Sequence, residues 1–366
     1  MQQIDVSRRG FARLLGTGAA VAALPSFPVL LARTAPGAPV LLNANENPYG
    51  PSPLAMRAVQ DALANVCRYP DEAERALRER IAKLHDVSTD SVLVGNGSSD
   101  ILHDAALAFL GGGRKLVTAD PTFEALWYDA AATDVVKVPL DTAYAHDLDK
   151  MRDAARGAGL VYICNPNNPT GTITPKAAMR AFLDAVPEPT IVLVDEAYHH
   201  YATSSDYESV ASLAASKPNL LVARTFSKVY AMAGLRCGYA VGAPALIETL
   251  GRHQAFNAMN LLGVVAARAA LADEPHAASS RKRNSDVRAW TTAELTRLGY
   301  RTLPSEANFF MVELRRDAKP VIAAFRERNI RVGRVFPALP QHLRVTVGTQ
   351  DEMKAFMGAF GEILRA

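Results

Sequence analysis

The sequence predicts an α/β protein: a mostly parallel sheet covered by helices on both faces, followed by a smaller α+β domain. Three observations carry that expectation. From Val92 onward, apolar runs of four to six residues alternate with segments of helical period. The polar motifs fall just after the apolar runs, where open α/β sheets bind their ligands. Past about Leu246 the alternation gives way to a long helical stretch and isolated strand-like runs.

Residues 40–48 read as extended and end in turn formers, and 53–65 and 72–84 have the spacing of amphipathic helices. Strands are expected over 91–94, 115–118, 135–138, 160–164, 190–194 and 220–225, with 238–241 continuing the sheet. Helices are expected between them over 100–110, 123–132, 148–155 and 175–186. In the second domain a helical region runs through Trp290 toward Leu298. It is followed by a strand over 309–314, a helix near 321–328, a strand over 343–347 and a closing helix from Glu352. The expected organisation is a signal segment (1–35), an N-terminal arm contributing to the small domain and covering the active site (36–66), a large domain (67–245) and a small domain (246–366).

The chain of 366 residues is 49% hydrophobic and 21% charged, ordinary for a globular protein large enough for two cores. Its net charge of +3 is carried by Arg8, Arg9, Arg13 and Arg33 against Asp5, so the body is neutral and nucleic acid is not an expected partner. Ser7-Arg8-Arg9-Gly10-Phe11 precedes an uncharged stretch over 14–32. This resembles a twin-arginine export signal, with cleavage between Ala32 and Ala38. Pro25 and Pro28 argue against a permanent span, so the membrane is expected only as a transient partner during export. The expected location is the periplasm, and the cytoplasm otherwise. Cys67, Cys164 and Cys237 show no C-x-x-C spacing, which argues against a disulfide framework or a structural zinc site. His199 and His200 are adjacent and have no second ligand cluster, so no metal is expected there.

Lys228, in Thr225-Phe226-Ser227-Lys228, is the chemical centre. Its amine can form a Schiff base with an aldehyde. Asp195, ending an apolar strand, needs a cationic partner. With Tyr198 it can bias a pyridine ring. Ser227 and Arg236 supply a hydroxyl and a charged fork for a phosphate. Gly95-Asn96-Gly97-Ser98-Ser99 leads into a helix whose N-terminus favours an anion. This is equipment for holding pyridoxal 5'-phosphate (PLP). Arg344 begins an apolar strand and needs an anionic partner, which a carboxylate fits.

Taken in order, the motifs L-N-A-N-E-N-P, R-Y-P, G-N-G-S, N-P-N-N-P-T-G, D-E-A-Y, S-K-x₇-R and L-R-V-T-V-G resemble those of the class I/II, fold-type I PLP-dependent aminotransferases, the histidinol-phosphate aminotransferase group above all. The resemblance runs from Leu42 to the C-terminus. It implies a fold-type I transferase with Lys228 as the covalent attachment and proton shuttle, and Asp195 at the pyridinium nitrogen. Asn168 and Tyr198 match donors to the cofactor's phenolic oxygen, and Phe123 the aromatic that stacks on its ring, a position where many relatives have tyrosine. Ser98, Ser99, Ser227 and Arg236 match the phosphate site, although the position of Ser99 is commonly acidic in the family. Tyr69 matches a tyrosine that reaches the phosphate from the other subunit, which implies a homodimer. Arg344 and Arg334 match substrate-anion arginines. Asn45 and Asn47 fall where the arm covers the site, either facing substrate or serving as turn residues. The implied reaction moves an amino group between a small-molecule donor and a 2-oxo acid, histidinol phosphate and 2-oxoglutarate being the implied pair. An aromatic or other amino-acid aminotransferase, and a decarboxylase of a phosphorylated amino acid, remain alternatives on the same motifs.

Overall fold

The computed structural model describes residues 37–130 and 134–365. The segment expected to direct export (1–35) lies outside the described residues, as do residues 131 and 132 of the helix expected over 123–132.

Strand β1 (Val40–Leu42) precedes helices α1 (Pro53–Ala62) and α2 (Asp71–His85). Ser52 caps α1 by accepting the Ala55 N–H, and Pro53 sits at the first helical position, where the missing N–H is not needed. Strands and helices then alternate: β2 (Val92–Gly95), α3 (Ser98–Phe109), β3 (Lys115–Asp120), α4 (Ala125–Asp129), β4 (Val135–Pro139), α5 (Leu148–Ala154), β5 (Ala158–Cys164), α6 (Lys176–Ala185), β6 (Ile191–Asp195), α7 (Ala211–Ala214), β7 (Leu220–Thr225) and β8 (Gly238–Gly242). They form one seven-stranded sheet in the order β2-β8-β7-β6-β5-β3-β4. Strand β8 runs antiparallel to β2 and β7, and every other pairing is parallel.

Period-two alternation sorts the strand side chains between two cores. Val94, Ile163, Val194 and Val222 meet Leu77, Ile81, Phe182 and Val264 on one face. Leu93, Tyr162, Leu193 and Leu221 meet Ile101, Leu102, Leu126 and Ile247 on the other. Burial on both faces explains why these strands read as nearly continuous apolar runs.

The remaining elements are α8 (Pro244–Gly251), α9 (Leu261–Ala270), α10 (Glu274–Arg297), β9 (Phe309–Glu313), α11 (Ala318–Glu327), β10 (Ile330–Val332), β11 (His342–Thr346) and α12 (Gln350–Arg365). Strand β9 pairs antiparallel with β11, and β1 pairs parallel with β10. A third core joins Leu42, Val287, Phe310, Phe325, Leu343 and Phe356, with the Phe325 and Phe356 rings stacked at 5.1 Å. The change of pattern near Leu246 does not mark where the cores divide. Leu246, Ile247 and Leu250 pack under the large sheet, and Val264 and Ala277 join its other face. The division falls inside α10, between Ala277 and Val287. On the N-terminal side Leu42 belongs to the small core and Ala55 to the large one, so the arm bridges them.

Strands β2, β3, β5, β6 and β7 all end at one edge of the sheet, and β8 begins there. Gly238, the first residue of β8, makes the edge compact. A Cβ on it would strike the Ser98 nitrogen and lie 2.6 Å from the Gly97 carbonyl carbon, both backbone atoms that cannot swing aside. Gly238→Ala is therefore expected to destabilise the protein by about 1–3 kcal/mol. Gly358→Ala, in α12 with nothing within 4 Å, is expected to stabilise it by about 0.5–1 kcal/mol. Urea denaturation of the two variants checks both signs.

Candidate active site

The loop after β7 is a tight turn that presents Lys228. The Phe226 N–H donates to the Cys237 carbonyl, the Met232 N–H to the Phe226 carbonyl and the Ser227 N–H to Thr225 Oγ1. The Lys228 Nζ donates to the backbone carbonyls of Asn45, at 3.1 Å, and Ala44, at 3.4 Å. The N-terminal arm thus lies directly across the amine.

Strand β6 ends at Asp195, whose Oδ1 accepts the Ala197 N–H at 3.0 Å and whose Oδ2 accepts the Tyr162 hydroxyl at 2.9 Å. Three residues on, the Tyr198 hydroxyl accepts Asn45 Nδ2 at 3.0 Å, which leaves its own proton to donate elsewhere. Asn45 is held with φ at 55° by Thr346, whose Oγ1 accepts the Asn45 N–H and donates to its Oδ1. Asn168 Oδ1 accepts Arg344 Nη1 at 2.7 Å, and Arg344 Nη2 donates to the Asn43 carbonyl at 2.7 Å. The buried Arg344 Nε has no partner among the described residues.

At the other end, Gly97 takes a φ of 94° ahead of α3. A Cβ there would occupy the space of the Arg236 guanidinium, so the glycine lets that cation lie against the helix N-terminus. Arg236 Nη1 donates to the Ala233 carbonyl at 2.8 Å and to Ser227 Oγ at 3.4 Å. Behind the cavity, the buried Glu196–Arg224 pair (2.8 Å) locks the segment after β6 to β7. The His199 and His200 rings lie 4.4 Å apart in one 3₁₀ turn, and His200 Nε2 meets the Tyr230 hydroxyl at 3.2 Å.

Burial drives the electrostatics. It lowers the Lys228 ammonium to about 8, helped by the Arg344 and Arg236 charges and opposed by Glu46 and Asp195. Burial raises the Asp195 carboxyl to about 6, against the hydrogen bonds from Tyr162 and the Ala197 N–H and the charge of Lys228. It pushes the Tyr198 phenol up, and lowers Arg344 to about 10.

Ser98, Ser99, Phe123, Asn168, Asp195, Tyr198, Ser227, Lys228, Arg236 and Arg344 line one cavity of about 250 Å³. Three other candidates lie outside it. Asn47 Nδ2 is committed to the Val229 carbonyl at 2.9 Å, so it braces the Lys228 loop instead of facing the cavity. Arg334 is 52% exposed, pairs with Glu124 and covers the Phe336 ring. Tyr69 is 73% exposed, on a surface depression shared with Leu261 and Arg268. Asn45, in the arm, lines the cavity. Tyr162 and Asn308 escaped the sequence reading. Tyr162 is a lone polar group in an apolar run, and Asn308 donates to the Asn45 carbonyl across 263 residues of chain.

Residues 38–360 match the family "Aminotransferase class I and II". A histidinol-phosphate aminotransferase of Moorella thermoacetica is 40% identical over 332 residues, covering 89% of this chain and 85% of that protein. One of Symbiobacterium thermophilum is 41% identical over 324 residues, covering 87% of this chain and 89% of its own. The crystal structure of histidinol-phosphate aminotransferase from Sinorhizobium meliloti in complex with PLP superposes with a TM-score of 0.84 at 27% identity, covering 96% of this chain and 99% of that one.

The donor set fits PLP. Arg236 and the α3 N-terminus suit its phosphate, the buried Asp195 carboxylate its ring nitrogen, and the Lys228 amine its aldehyde. Only the neutral amine attacks an aldehyde, so the depressed Lys228 sets the pH of cofactor capture. The neutral fraction rises tenfold per pH unit below about 8 and is saturated above it. Stopped-flow mixing of apoprotein with PLP is expected to show a capture rate that climbs to about pH 8 and then levels. A rate still climbing toward the ordinary lysine value of about 10.4 would contradict the burial argument.

Proposed function

We propose that this chain, which belongs to the class I and II aminotransferases, exchanges an amino group between histidinol phosphate and 2-oxoglutarate. Support comes from a histidinol-phosphate aminotransferase that is 40% identical over 89% of the chain. The observation that carries the substrate class is Arg344: a buried guanidinium on the cavity wall with an unpaired Nε calls for an anionic ligand.

PLP, when bound, supplies an aldehyde that takes up the amino group and a ring that withdraws electrons from the substrate Cα. The protein does the rest. The Lys228 amine, which would hold the aldehyde between turnovers, would when free act as the base that moves a proton from the substrate Cα. Its depressed value leaves a useful neutral fraction near neutral pH. Asp195 as a carboxylate favours a protonated ring nitrogen. Tyr198 keeps a proton free to donate because Asn45 already fills its acceptor role. The Asn168 amide nitrogen supplies a second donor while its oxygen orients Arg344. Phe123 lines the same cavity.

A donor screen against 2-oxoglutarate tests the reading, with histidinol phosphate, phenylalanine and glutamate as donors. Histidinol phosphate is expected to give the highest kcat/KM. Lys228→Ala should abolish turnover while leaving the melting temperature intact. With donor alone, one equivalent of oxo product per site and no CO₂ is expected; sustained CO₂ release would identify a decarboxylase instead.

The assembly and the address are part of the same proposal. Leu63, Val66, Tyr69 and Phe256 are each exposed; a second copy covering the segment from Leu63 to Tyr69 would bring Tyr69 to the partner's cavity. The arginine pair and apolar stretch of 8–32 support twin-arginine export to the periplasm. Expression in an export-competent cell is expected to yield a periplasmic dimer cleaved between Ala32 and Ala38. Full-length chain confined to the cytosol would reject export, and a fully active monomer would reject the shared site.

A further inference from the structure

One buried polar group in the large sheet is not accounted for by the motifs. Tyr162 lies mid-strand in β5, is 0% exposed, and is surrounded by the apolar core formed with Leu160, Leu193 and Ile101. A phenol in such a place needs a hydrogen-bond partner. Strand geometry gives it one. Tyr162 pairs with Leu193 in the parallel register, and Asp195, two residues farther along β6, lies on the same face. The hydroxyl therefore reaches forward to Asp195 Oδ2 at 2.9 Å. With the Ala197 N–H on Oδ1, each carboxylate oxygen holds one donor from the protein, and both donors are fixed by the sheet and the turn after it.

We propose that Tyr162 is a positioning residue, its hydroxyl holding the Asp195 carboxylate ionised and in one rotamer so that the acid meets the ring nitrogen of bound PLP as an anion. The inference rests on the PLP chemistry above. Asp195 is buried, and burial favours its neutral form. A neutral acid cannot keep a ring nitrogen protonated, so the electron-withdrawing power of the ring depends on donors that stabilise the anion. The phenol suits this task across the working range. Burial and the neighbouring Asp195 push its own ionisation well up, so it remains a donor wherever the enzyme functions.

The test is Tyr162→Phe, which removes one oxygen and keeps the ring. Losing a hydrogen bond to a charged group is expected to lower kcat about 10- to 100-fold with a smaller change in KM. The sign of the pH effect follows from the anion losing a donor: Asp195 binds its proton more tightly, so the acid limb of kcat/KM moves up by about one to two pH units. By equilibrium dialysis, apoprotein should bind PLP more weakly, and more so at pH 6 than at pH 8. In an Asp195→Asn background the same substitution should change neither kcat nor PLP affinity. Tyr162→His, which keeps a ring donor, should restore the acid limb in part and gives a second comparison should the phenylalanine variant not fold. An unmoved acid limb, or an equal loss in the Asp195→Asn background, overturns the inference. Wild-type apoprotein that fails to bind PLP would refute the functional reading instead, which keeps the two failures apart.

Discussion

A primary amine removed from water and surrounded by fixed charge is the constraint on which the rest of this structure depends. An ammonium in bulk water stays protonated at neutral pH and attacks nothing. The fold seats Lys228 beneath the Ala44 and Asn45 carbonyls, within the influence of Arg344 and Arg236, and so lowers its proton affinity to about 8. The carbonyls accept hydrogen bonds from the amine in either protonation state. Desolvation and the two arginines favour the neutral one.

The opposite requirement applies one strand away, and the architecture meets both within one cavity. Asp195 has to stay charged although it is buried. It does so with two donors fixed by backbone geometry, one from a neighbouring strand and one from the turn that follows. Parallel strands make this possible because their ends gather at one edge, so residues 30 to 130 apart in sequence face the same space. The arm closes that space from above. Asn45 touches Tyr198, Thr346, Asn308 and Lys228, so large sheet, small domain and arm meet at one asparagine.

The strands of the large sheet were legible because burial on both faces writes continuous apolar runs into the sequence; 220–225 is observed as expected. Less of the C-terminal part was legible. The helical region before Leu298 is three helices, separated where Asn260 and Asp273 cap new N-termini. The short strand β10, Ile330–Val332, forms only because β1 lies beside it, almost 300 residues away. Most of the residues named from motifs line one cavity. The pairings that set their chemistry did not show. Arg344 with Asn168, Asn45 with Tyr198 and Tyr162 with Asp195 join segments that no local pattern relates. Asn47 and Arg334 illustrate the converse: residues at matched positions whose polar groups are committed to a neighbouring carbonyl and to the half-buried Glu124 carboxylate.

The most direct test of the account is to locate the covalent attachment. Purified protein is saturated with PLP, reduced with borohydride and digested, and the peptides are mapped by mass spectrometry. One PLP-derived mass addition is expected, on the peptide carrying Lys228, and none on any other lysine. An unmodified Lys228, or label spread over surface lysines, would contradict it.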